Sequence, residues 1–322
     1  MSHHPKSAST GPALPALLDA AYADVDEQAA ALNGWNQSYM QLCAGGFQGD
    51  IRQLDLDGVR VFREGLKTSV YQTGSLASGT LALGVPLASS GPGLFCGKPC
   101  GLDTLHVFSG SSGFEFRTAS EHVMLGVELA PELAHSVHPR GEDGPAFPGG
   151  AGIHRADPVA LVELRQFLVL LFEALHFTPS LLALPTLRAG MVDALLEKVT
   201  ALHAQAADAG EQPLGHWHMV REAQRLVGDD LAQPPTIAEL CGHLGVSRRT
   251  LQSGFHRVLG ISPLSYLRVA RLGAARKSLK SAASVTDAAT QHGFWHFGHF
   301  AKDYQDMFGE LPSQTLRRHR GH

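Results

Sequence analysis

The decapeptide RRTLQSGFHR, positions 248 to 257, sets Arg248, Arg249, Gln252, Ser253, His256 and Arg257 on one side of a helical register and Leu251 and Phe255 on the other. Guanidinium forks, a carboxamide, a hydroxyl and an imidazole are side-chain types that pair with base edges or with phosphate oxygens. A second group, Trp295, His296, Gly298, His299 and Lys302, lies in GFWHFGHFAKDYQDMFGELP, a segment dense in aromatic and histidine side chains. Hydrolytic chemistry lacks its parts. SGSSG (109–113) is not the G-x-S-x-G nucleophile elbow, and the scattered histidines lack H-E-x-x-H spacing. The sequence therefore assigns no catalytic residue and reads as something other than an enzyme.

Both groups need elements to hold them. In TIAELCGHLGVSRRTLQSGFHRVLG (236–260), Thr236 caps a helix whose Ile237, Leu240 and Leu244 are apolar, and Gly245 ends it in a left-handed turn. Val246 fills the corner and Ser247 caps a second helix with Leu251, Phe255 and Val258 inward. Helix, glycine turn, helix is the arrangement that lays its second helix in a major groove. The grammar recurs downstream. Ser284 or Thr286 caps a short helix carrying Val285, Ala288, Ala289 and His292; Gly293 turns, Phe294 takes the corner, and WHFGHFAKDY forms the second helix. Phe297, Phe300 and Tyr304 are expected inward, which leaves Trp295, His296, Gly298, His299 and Lys302 outward, with Gly298 permitting close backbone approach. Between the units, SPLSYLRVARLGAARKSLK (262–280) reads as a long helix with Leu264, Tyr266, Leu267, Ala270, Leu272 and Leu279 on or near one side. It would fix the spacing so that two recognition helices enter successive grooves roughly 34 Å apart.

Charge agrees with this placement. The 322-residue chain carries a formal net charge of −4, yet residues 212–322 hold 14 Lys and Arg against 8 Asp and Glu, and the remainder 12 against 22. One end of the chain is built to meet a polyanion and the other is not. From 51 to about 127, short alternating runs such as LHVF and FEF, broken by glycine and serine, predict an antiparallel sheet or small barrel. Two helical patterns follow. DPVALVELRQFLVLLFEALHF (157–177) places Val159, Val162, Leu164, Phe167, Leu168, Leu171 and Leu175 at helical spacing behind an Asp157 cap, and LRAGMVDALLEKVTALHAQA (187–206) repeats the pattern. The expected class is α+β: a disordered lead over 1–18, a β-rich, barrel or cupin-like sensor domain over 19–150, a helical hairpin for dimerisation with a linker over 151–211, and an all-α domain with two helix-turn-helix units over 212–322. Four scattered cysteines, no secretory lead and no run of roughly 18 apolar residues predict a soluble cytoplasmic protein without membrane contact.

On these residues the chain resembles the AraC/XylS-type transcriptional regulators. The stretch from Glu222 to about Arg318 carries the likeness, through the first unit, GISPLSYLRVARLGAAR and GFWHFGHFAKDYQDMFGELPSQTLRR. The phrase GFWHFGHFAKDYQDMFGELPS is similar to the branch containing the ethanolamine-utilisation operon activator. The resemblance implies base contacts from Arg249, Gln252 and Ser253, a phosphate contact from Arg248, and base contacts from Trp295, His296, Gly298, His299 and Lys302, although Gly298 stands where the family commonly has a polar residue. It further implies a β-rich domain that binds a small-molecule effector and helps form a homodimer, with double-stranded DNA as the partner and RNA polymerase as a second one if the protein activates. No cofactor is implied.

Other readings follow from other residues. CGKPC, with Cys96 and Cys100 near His106, could serve a metal or redox sensor, but it lacks a second ligand pair, so no metal site is assigned. Arg60, Arg63 and Lys67 are the candidates for meeting an anionic effector. An effector-independent DNA-binding protein whose first domain only dimerises is the remaining alternative.

Overall fold

A computed structural model describes residues 17–137, 150–203, 207–208 and 215–320. Residues 1–16 of the expected lead and most of the expected linker lie outside these residues, whereas positions 17 and 18 of that lead open a strand. In chain order the first part runs β1 Leu17–Tyr22, α1 Val25–Ala29, β2 Trp35–Gln41, β3 Gly49–Leu56, β4 Val59–Leu66, β5 Val70–Leu76, β6 Leu81–Ser89, β7 Gly93–Phe95, β8 Lys98–Cys100, β9 Thr104–Ser109, β10 Gly113–Arg117, β11 His122–Leu129, α2 Pro131–Val137 and β12 Gly152–Arg155. Helices α3 Pro158–Phe177 and α4 Pro185–His203 and the short β13 Ala207–Asp208 complete it.

The strands form two open antiparallel sheets rather than one closed barrel, in the orders β1-β3-β4-β11-β6-β9-β12-β13 and β2-β5-β10-β7-β8. Asp57 and Gly58, both at positive φ (40° and 93°), make the tight turn joining β3 to β4. Period-two alternation then sorts the side chains. Phe62 of β4, Phe108 of β9, Met124 of β11 and Phe114 and Phe116 of β10 point between the sheets with Trp35 and Phe95, whereas Val59, Val61, Leu105, Val107 and Val127 point away, against α3 and α4. Asp157 caps α3 by accepting from the amides of Val159 and Ala160. The buried stripe of α3 is Leu161, Leu164, Leu168, Leu171, Phe172 and Leu175, so Val159 and Val162 belong to the outer side and are exposed. The stripe set by Leu164, Leu168, Leu171 and Leu175 extends back to Leu161, which turns 159 to the opposite face.

The second part is helical: α5 Gly215–Asp229, α6 Ile237–Leu244, α7 Arg248–Leu259, α8 Pro263–Leu279, α9 Val285–Gln291, α10 Phe297–Phe308 and α11 Pro312–Arg320. It docks on the β-rich part through buried polar contacts. Arg276 of α8, 3% exposed, reaches Asp24 Oδ2 at 3.0 Å and Glu310 Oε1 at 2.9 Å, while Lys280 reaches Asp24 and Asp26 at 2.8 and 2.9 Å. At the other end of the junction Glu115 of β10 accepts from Trp217 Nε1 at 3.0 Å and Tyr71 Oη at 2.6 Å, and pairs with Arg221 at 2.6 Å. The Gln41 amide donates to the Met307 carbonyl at 2.8 Å, and Gly45 N donates to Asp306 O at 3.0 Å. No helix among the described residues is long and apolar enough to cross a membrane.

Candidate nucleic-acid interface

The first unit is α6, its turn and α7, backed by α5. Thr236 and Glu239 form a reciprocal cap: Glu239 N donates to Thr236 Oγ1 at 3.2 Å and Thr236 N to Glu239 Oε2 at 2.7 Å. Gly245 ends α6 at φ 63°, and Ser247 Oγ accepts from Thr250 N at 3.1 Å to start α7. Leu240, Leu251, Phe255, Val258 and Leu259 close the core with Val220, Ala223 and Val227 of α5. That packing leaves Arg248, Arg249, Gln252, Ser253, His256 and Arg257 exposed along α7.

Their freedom is selective. Among the described residues Arg225, Arg268, Arg276 and Arg318 are each committed to a carboxylate, and Arg271 and Arg320 to backbone carbonyls. Arg248, Arg249, Gln252 and Arg257, in contrast, make no ion pair or side-chain hydrogen bond among the described residues. Uncommitted donors on one face of a capped helix are what a phosphate backbone and base edges require.

The second unit repeats the turn. Phe294 N bonds Ala289 O at 2.9 Å, as Val246 N bonds Cys241 O at 3.1 Å in the first. Ser284 supplies the cap of α9, accepting from Asp287 N at 3.0 Å, and Gly293 turns at φ 71°. Arg271 lies over the Phe294 ring, 4.3 Å from its centroid, and closes the corner. Phe300, Tyr304, Met307 and Phe308 are buried as expected of an inward stripe, and His296, Gly298, His299 and Lys302 are exposed.

Phe297 corrects the sequence reading. Expected in the core, it is 42% exposed, because Phe294 already fills the corner and packs against Phe300 with ring centroids 4.9 Å apart. The helix also begins later than expected, at Phe297, with His296 at the cap position and Trp295 in the turn, 72% exposed. Leu264, expected near the apolar side of α8, is exposed on its first turn.

The three effector candidates do not share one pocket. Arg60 is tied down, Nε 2.6 Å from Asp55 and Nη1 3.1 Å from Glu128, which also accepts from Trp35. Arg63 pairs with Asp50; it and the exposed Lys67 line one pocket of about 310 Å³ with Glu121 and His122, away from Arg60. Cys96 sits at φ 46° in the β7–β8 turn, and burial pushes its thiol up to about 11 and that of Cys100 up to about 12. Both are held as thiols, and no group of three His, Cys, Asp or Glu able to hold a metal occurs among the described residues.

The junction residues Asp24, Glu115, Trp217 and Arg276 carried no signal in the sequence. Asp24 and Arg276 stand 252 positions apart, and only the tertiary fold makes them partners.

Comparison with known proteins places the same segment. Residues 240–318 match the model of a family described as a helix-turn-helix domain. The chain is 36% identical over 147 residues to the probable thc operon regulatory protein of Rhodococcus erythropolis, covering 44% of each chain. It is 37% identical over 98 residues to XylDLEGF operon transcriptional activator 3 of Pseudomonas putida, 29% of this chain and 30% of that one. It thus spans less than half the length of these curated relatives, whose names are those of thc and xyl regulators rather than of an ethanolamine-operon activator. A solved probable AraC family transcriptional regulator from Rhodopseudomonas palustris is 38% identical, covering 32% of this chain and 97% of that one, with a TM-score of 0.30.

Proposed function

We propose that this chain, whose residues 240–318 match a helix-turn-helix domain family and which is similar to thc and xyl operon regulators, is an AraC/XylS-type, sequence-specific activator gated by a small molecule. In this reading α7 and α10 read two neighbouring major grooves, the β-rich part over 19–150 senses the effector, and the hairpin within 151–211 joins two copies. RNA polymerase is then the protein partner of the DNA-bound dimer. The finer kinship, to the ethanolamine-utilisation activator branch, is part of the proposal and rests on the phrase at 293–313 alone.

The observation that supports this reading best is the row of uncommitted polar side chains on α7, in a domain whose other arginines are mostly engaged. An effector can act only through different affinity for two arrangements of the protein. The polar junction between the sheets and α5, α8 and α10 is where two such arrangements would differ.

Residue by residue the consequences diverge. Replacing Arg249 or Gln252 by alanine should relax preference at particular base pairs and cost about 1–3 kcal/mol on the cognate duplex. Arg248→Ala should weaken binding to every duplex alike and lower the salt slope by about one. Anisotropy titrations on cognate and scrambled duplexes over a range of salt separate the two effects. An Arg248→Ala protein with an unchanged salt slope would remove the phosphate role, and an Arg249→Ala protein with unchanged base preference would remove the reading role.

A further inference from the structure

The two recognition helices are equal in length and in ending. Each has twelve residues and stops at a left-handed glycine, Gly260 or Gly309. Matching their caps, Ser247 and His296, aligns the buried Leu251 with Phe300, Phe255 with Tyr304 and Leu259 with Phe308. The same alignment puts Phe297 where the first unit has Arg248, and it shows the second turn to be longer by one residue, Trp295. The second unit thus begins its helix with exposed aromatic carbon where the first begins with a cation.

Exposed rings at 72% and 42% are at odds with the rest of the segment, where Phe300 and Tyr304 are at 1% and 0%. Nothing within 4 Å would meet a side chain at Gly298, so the surface beside Phe297 is open. His296, His299 and Lys302 are exposed on the same stretch, and the rings stand at the start of α10, the end of a recognition helix that contacts base edges. The major groove presents one apolar feature among its donors and acceptors, the C5-methyl group of thymine. We propose that Trp295 and Phe297 read thymine methyl groups, so that the second unit selects its bases by apolar contact while the first selects by hydrogen bonding. This rests on the reading that both units face DNA.

Uracil tests it directly, because replacing thymine by uracil deletes the methyl and keeps every hydrogen-bonding group. A duplex selected by the full chain from a random library would be rebuilt with uracil in one half or the other, and binding followed by anisotropy. Uracil in the half bound by α10 should weaken the wild-type protein about fourfold for each methyl covered, the ratio expected for burying one methylene-sized group. In the Trp295→Ala/Phe297→Ala protein thymine and uracil duplexes should bind alike, while preference in the other half persists. Both rings are exposed, so this variant should keep the wild-type melting temperature, which a thermal melt checks. Equal wild-type affinity for thymine and uracil duplexes, with selected sequence still preferred over scrambled, would overturn the proposal alone, as would discrimination that survives in the double variant. Equal affinity for selected and scrambled duplexes would overturn the DNA-facing reading beneath it.

Discussion

Arg276→Ala is expected to lower the unfolding free energy by about 3 kcal/mol, the low end for breaking a buried ion pair, because Asp24 keeps Lys280 and Glu310 keeps Arg318 as partial partners. The guanidinium is buried between Asp24 and Glu310 and lies 4.7 Å from the centroid of Phe308, so it joins the start of α1 in the β-rich part to α8, to α10 and to the connection before α11 at once. Denaturant titration of the full chain measures the loss. Adding Asp24→Asn to Arg276→Met should recover part of it, because the pair is then neutral. A single-variant loss below about 1 kcal/mol would mean that the pair behaves as a solvated one. The same contacts impose an acid limit. Burial alone would raise the Asp24 carboxyl, but the hydrogen bond from Lys280 and the charges of Arg276 and Lys280 outweigh it and hold the group at about 2 against an ordinary 3.8. A depressed folded value stabilises above the unfolded one, so this contribution is present above pH 3.8 and disappears as pH falls through about 2. Asp24→Asn should therefore lose its deficit relative to wild type across that window.

Gly293→Ala is the second large effect. Gly293 turns at φ 71°, and an added Cβ would stand 2.3 Å from the Ala232 carbonyl oxygen and 3.0 Å from Arg271 Nη2. Positive φ alone costs on the order of 1–3 kcal/mol in a residue with a side chain, and the backbone clash adds to it. Gly245 provides the comparison, because it has φ 63° but a Cβ added there would meet nothing within 4 Å. Gly245→Ala should cost only the left-handed penalty of about 1–2 kcal/mol. The larger defect of Gly293→Ala should fall on the second unit, with sequence preference lost in one half of the operator and retained in the other. Equal losses of stability in the two alanine variants, measured by thermal melting, would show that the Ala232 contact does not constrain the turn.

What the sequence disclosed and what it withheld divide along sequence separation. Caps at Thr236 and Ser247, glycine turns at 245 and 293, and the stripes through Leu251, Phe255, Phe300 and Tyr304 are decided within a few residues and are readable from type and spacing, whereas the cap of α9 stays open in sequence between Ser284 and Thr286 and falls to Ser284. Phe297 was misplaced because helical periodicity cannot tell which of two nearby phenylalanines fills a single corner; Phe294 does. Val159 was misplaced for a related reason, since a wide apolar pattern on α3 does not say which part of it meets the sheet. The two-sheet arrangement was legible only as strands and turns, because closure depends on long-range pairing such as that of β11 with β4 and β6. Nothing local marks Asp24, Glu115 or Arg276 as junction residues. A charged residue that will be buried against a distant partner looks, in sequence, like one that will face water.

Two unlike recognition helices that read one duplex together should each leave a mark on the selected sequence. Selection of binding sites by the full-length protein from a random duplex library, followed by footprinting, tests this most directly. Two blocks of sequence preference are expected for each protein copy, centred one helical turn, roughly 10 base pairs, apart. One of these should weaken with Arg249→Ala and the other with Trp295→Ala/Phe297→Ala. A single block, or enrichment of no sequence at all, would contradict that joint reading.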